Sequence, residues 1–192
     1  MDIDLATVHP GLVDAWNFTR ENYPKKVACD LEPLKKIEED CDAAFPADYL
    51  AFMGKYGGLQ MRFDDPRRLL VEYSIAGNLT REVCHLASIM SSKAVLEWYL
   101  RLSRPDEHYE NIGARIPART VPIGVTEAGG EYYLIDLSDR SHGTIWRMAP
   151  ENHGTWCSEG NAFLGLAAGS FTKLLTKLVT EDDLAAGKMR ER

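Results

Sequence analysis

Apolar residues recur along this chain in two rhythms, one helical and one alternating. Leu34, Ile37 and Cys41 fall at i, i+3 and i+7, which predicts a helix with a single apolar stripe. Asp30 is placed to cap it, and Pro33 stands at its start, where a missing N–H costs nothing. Phe45-Pro46 breaks that helix and opens another. There Tyr49, Phe52, Met53 and Tyr56 repeat at i, i+3, i+4 and i+7 before a Gly57-Gly58 stop. A third helix is expected from a Ser91 or Ser92 cap to about Ser103, with Val95, Trp98, Tyr99 and Leu102 inward. Ser170 caps a last one, with Phe171, Leu174, Leu175 and Leu178 inward. Nearer the N-terminus, Leu12, Trp16 and Phe18 lie near helical spacing ahead of Tyr23-Pro24, as a short helix or an extended arm.

The second rhythm predicts strands. Val121–Val125, Tyr132–Leu137 and Thr144–Met148 are short apolar runs divided by turns at Glu127–Gly130 and Ser138–Gly143. Three such runs predict an antiparallel meander. Pro122 has no N–H to offer a ladder, so its strand is expected at a sheet edge or to start late. Leu59–Phe63 reads as a short strand, followed by a turn at Asp64-Asp65-Pro66. Leu69–Ile75 and Glu82–Ser88 flank Gly77-Asn78 as a hairpin. Helices and this hairpin are expected to cover the meander. The fold class is α+β: a single domain, mainly antiparallel sheet flanked by helices. Residues 1–29 form an N-terminal arm or helix, 30–180 the domain and 181–192 a C-terminal tail, frayed from Lys188 on.

A chain of 192 residues buries a core without staples, and 45% hydrophobic with 27% charged residues is ordinary for a globular protein. No apolar run is long enough to span a membrane, and Met1–Val8 is acidic without an apolar h-region, so a cytoplasmic protein is expected. Cys29, Cys41, Cys84 and Cys157 form no CxxC pair and read as reduced, mostly buried thiols. The formal charge is −7, and the first fifty residues hold eleven acids against five lysines and arginines. That balance argues against general nucleic-acid binding, which needs a cationic track, and suits a basic protein partner or simple solubility.

Ser170 sits in a helix-cap context and in no nucleophile elbow. Cys157 follows His153 by four residues, but His142 and Cys84 do not complete a zinc set at a known spacing. Gly124–Gly130 lacks the ending of a phosphate loop. Glu38-Glu39-Asp40 reads as a solvated helix face and Asp136 as a turn hydrogen-bonder. No catalytic, metal or cofactor residue is assigned. Trp16 and Trp98 read as core, and Trp156 as an exposed anchor or a cover for a sheet end.

The order of the pieces resembles the SUKH superfamily, named for a fungal cell-wall-synthesis regulator and its bacterial relatives. The resemblance rests on Pro46, Asp48, Tyr49, Gly57 and Gly58, on Val121-Pro122-Ile123-Gly124, on Gly129, Gly130 and Asp136, and on Ser170-Phe171. It covers roughly Asp30–Val179, with an unusually apolar Leu59-Gln60-Met61 and an extra arm at Leu12–Lys26. It implies a non-catalytic binding domain, most often an immunity protein that neutralises a polymorphic toxin, commonly a nuclease. The expected partner is a cognate toxin domain, with neither nucleic acid nor membrane. The contact residues expected from their place in or beside loops at sheet ends are Asp64, Asp65, Glu127, Glu131 and Trp156. The alternatives are a regulator binding an endogenous protein, and a small-molecule enzyme using His153, Cys157 or the carboxylates.

Overall fold

Short polar side chains and prolines set where the helices begin. The structure, a computed structural model, describes residues 3–75, 78–105, 114–126, 130–148 and 164–187. Helix α1 (Leu5–Val8) starts at Asp4, whose carboxylate accepts from the Ala6 N–H, and α2 (Gly11–Asn22) follows Pro10. Helix α3 (Glu32–Cys41) carries Pro33 in its first turn, while Asp30 accepts from the Glu32 N–H at 3.0 Å. Helix α4 (Ala47–Tyr56) follows Pro46. The hydroxyls of Ser91, Ser170 and Thr180 cap α5 (Ser92–Leu102), α6 (Phe171–Lys177) and α7 (Glu181–Ala185). The expected stripes on α3 and α4 are buried. Trp16 and Trp98, expected in the core, are half-buried and pack against its margin.

Polar bonds tie α1 and α2 to the rest. The Thr19 hydroxyl is buried, accepts from the Gln60 N–H at 2.8 Å and donates to the Ala15 carbonyl at 2.6 Å. The Leu5 N–H donates to the Tyr56 hydroxyl at 3.0 Å, and the Lys55 ammonium to the Ile3 carbonyl at 3.0 Å.

The strands are β1 (Leu59–Gln60), β2 (Arg67–Ile75), β3 (Asn78–Leu86), β4 (Ser88–Ile89), β5 (Thr120–Val125), β6 (Tyr132–Asp136), β7 (Ile145–Met148) and β8 (Leu164–Ala168). They form one antiparallel sheet in the order β1-β4-β5-β6-β7-β8-β2-β3. The β5-β6-β7 meander is the expected one. The β2-β3 hairpin, expected to cover the sheet, extends it instead, because β8 pairs with both β7 and β2. The sequence pattern did not predict β8. Strand β3 starts at Asn78 rather than Glu82, and the strand expected over Leu59–Phe63 shrinks to its first two residues. Pro122 lies on an interior strand, not an edge. Its missing N–H is tolerated because β4 pairs only with Gly124 and Val125.

In this order β3 ends one edge and β4 lies beside the other, yet Ala87 alone separates them in sequence. The sheet must therefore bend back until its ends meet. Across the closure the Tyr133 hydroxyl donates to the His85 carbonyl at 2.8 Å. Alternate residues Leu69, Val71, Cys84, Leu86, Tyr133 and Ile145 are buried along the inner side of this bend. Gly165 faces Val71 and Tyr73 so closely that a Cβ would overlap both, which is why β8 can pass there. Outside the bend, Trp98 of α5 stacks on Tyr132 at 5.3 Å, and Phe171 of α6 meets Tyr49 and Phe52 of α4, each at 5.0 Å.

Candidate partner-binding surface

The turn between β1 and β2 is fastened at three points. Arg62 and Asp65 form an isolated antiparallel bridge. The Arg62 guanidinium donates to both oxygens of Asp64, at 2.9 and 2.6 Å, and these bonds hold the Asp64 carboxyl below the usual carboxylate range. Arg67, buried at the base, pairs with Asp65 and donates to the Gly11 carbonyl at 3.1 Å. The two acids expected as contacts are thus turned onto arginines. The residue that the clamped turn presents is Phe63, 89% exposed.

Arg62 lies over the Phe18 ring of α2 at 5.9 Å, and Phe18 meets Tyr23 edge-on at 5.9 Å. Tyr23 is 48% exposed. Phe18 and Tyr23 are thus tied through Arg62 to the turn that presents Phe63. Large exposed aromatics held at fixed positions are the usual energetic anchors of protein interfaces. The sequence pattern hid Phe63 by continuing β1 to it. A residue at the tip of a turn has no sheet face to bury itself against, and its charged neighbours on both sides were the available signal.

Glu131 lies elsewhere. It pairs with Arg147 of β7 at 2.6 Å, and Arg147 also reaches Glu82 of β3 at 3.2 Å and the Tyr73 hydroxyl of β2. Burial works against the Arg147 charge, and the hydrogen bonds with Glu131 and Tyr73 more than offset it. Burial pushes the nearby Cys84 thiol up to about 11, which leaves it a poor nucleophile near neutral pH. Glu127, His153, Trp156 and Cys157 lie outside the described residues.

Other polar groups have structural partners. Asp136 accepts from the Ser138 N–H at 2.8 Å, the Ser141 hydroxyl at 2.6 Å and the Trp146 indole at 3.1 Å, so it organises the β6-β7 turn. The run Glu38-Glu39-Asp40 is more than a solvated face. Glu38 accepts from the Phe45 N–H at 2.7 Å, and Asp40 from the Tyr99 hydroxyl at 2.5 Å. Tyr99 also meets the Cys41 thiol at 3.3 Å. His142 bonds the Ala44 carbonyl at 2.8 Å. Among the described residues no group of His, Cys, Asp and Glu is arranged to hold a metal ion, and no helix is long and apolar enough to cross a membrane.

Asp48, two residues into α4, accepts from the Thr172 N–H and hydroxyl at 2.9 and 3.0 Å and so locks α4 to α6. The family model of SMI1 / KNR4 (SUKH-1) matches residues 28–177. The chain matches no curated protein. The matched span includes Phe63 and excludes Phe18 and Tyr23.

Proposed function

The chain belongs to the SMI1 / KNR4 family (SUKH-1), and on that premise we propose that it is a non-catalytic protein-binding module, an immunity protein that neutralises a polymorphic toxin domain by direct contact. It acts in the cytoplasm by occluding the toxin's working surface and breaks no bond. The observation that carries this reading is Phe63, presented on a turn whose flanking acids are fixed by arginines. Such a turn loses little freedom on binding, which favours affinity. The acid excess of the first fifty residues suits a basic nuclease and speeds encounter with it.

The test pairs the protein with the toxin-like product of a neighbouring gene. Phe63→Ala is expected to weaken calorimetric binding by about 2 kcal/mol or more and to remove protection of cells expressing the toxin. An exposed position leaves the thermal midpoint unchanged. Wild-type affinity in Phe63→Ala would refute the surface. A wild-type chain that binds no such toxin, with a deletion phenotype in its absence, would favour the regulatory reading.

A further inference from the structure

The connection leaving α2 and the first turns of α5 enclose a groove of about 540 Å³. Tyr23, Pro24, Lys25 and Lys26 form one wall, and Lys93, Ala94 and Glu97 the other. Gly58 fixes their spacing. Its N–H donates to the Lys26 carbonyl at 2.7 Å, and a Cβ there would lie 2.8 Å from both the Lys26 side chain and the Ser91 backbone nitrogen. The groove is therefore set by close backbone approach and is formed before anything occupies it. Its volume falls within the range of about 300–1,000 Å³ found for ligand clefts.

We propose that this groove receives an extended acidic segment of a protein partner. Three lysines face one glutamate here, on a chain whose formal charge is −7, so the groove opposes the charge of the rest of the molecule. Lys25 and Lys93 are exposed on opposite walls, and their ammonium groups form no hydrogen bond or ion pair among the described residues. The Lys26 ammonium is held on Gln60 Oε1 at 2.7 Å. Between these heads lie the apolar surfaces of Tyr23, Pro24 and Ala94. An extended peptide whose sequence alternates acidic and apolar residues offers both kinds of side chain, and this lining answers to both. A small inorganic anion would leave the apolar walls uncovered. A nucleic acid extending past the groove would meet the acidic surface. The site is distinct from the Phe63 turn, although Tyr23 of its wall also meets Phe18, and it does not require the partner to be a toxin.

Fluorescence anisotropy on the full chain tests this with a fluorescein-labelled octapeptide alternating glutamate and leucine. Saturable binding is expected, weakened by added salt. The same peptide with glutamine for glutamate is expected to bind at least about tenfold more weakly, as is the acidic peptide to the Lys25→Glu, Lys93→Glu double variant. Both lysines are exposed, so the double variant is expected to keep the wild-type thermal midpoint. Should it unfold, Lys93→Gln alone is expected to lose about threefold. Phe63→Ala is expected to bind the peptide like wild type, so failure of this site and failure of the toxin reading are separable. The proposal is overturned by absence of saturable binding, by equal affinity for the glutamine peptide, or by unchanged affinity in the lysine variants. It is also overturned if a single-stranded oligonucleotide binds more tightly and is lost in the same variants.

Discussion

Lys26 shows at the residue scale how a surface feature draws on stability. Burial lowers its pKa to about 8 from 10.5, so the folded chain gives up this proton before the unfolded chain does. The cost of the buried charge is therefore full below pH 8 and fades as the pH rises toward 10.5. Lys26→Met is expected to raise the thermal midpoint at pH 7. Its advantage over wild type should narrow between about pH 8 and 9.5 in parallel denaturation series, and an advantage independent of pH would refute this account. Neither this burial nor the exposure of Phe63 was legible in the sequence. The turn expected at Asp64-Asp65-Pro66 lies one residue earlier, at Phe63-Asp64 between the bridged Arg62 and Asp65, and an acid beside an arginine in sequence does not reveal which of them faces solvent. That depends on Arg67 being buried against the Gly11 carbonyl, a contact across fifty-six positions.

At the scale of elements, local pattern sufficed wherever an element is defined by its own sequence. The stripes of α3 and α4, the caps of α5 and α6 and the β5-β6-β7 meander all follow from spacing and turn residues. Strand β8 did not, because Leu164–Ala168 contains no β-branched or aromatic residue to signal it. It is a strand because β7 and β2 both present an edge to it. The joint between α4 and α6 carries its own prediction. Asp48→Ala leaves the Thr172 N–H without its cap and is expected to cost about 1–2 kcal/mol, lowering the thermal midpoint by about 2–8 °C. Thr172→Val keeps the backbone bond and is expected to cost less. Equal losses in the two variants would mean that the hydroxyl carries the joint.

The whole molecule is a sheet bent until β3 runs directly into β4, and no local rhythm announces such a closure. Arg147 pins it by joining β2, β3 and the entry to β6. Arg147→Ala leaves two carboxylates and a buried hydroxyl without their cation and is expected to cost about 3 kcal/mol in chemical denaturation. A loss below about 1 kcal/mol would show that packing alone holds the bend. The bend leaves β3 as a sheet edge, guarded by the Arg81–Glu72 pair at 2.9 Å. Amide hydrogen exchange of the protein, free and saturated with any toxin-like domain found to bind it, asks directly which surface the proposed contact uses. Protection is expected to rise over residues 18–26 and 61–67, whereas protection confined to β3, or spread evenly with no change at Phe63, would contradict the account.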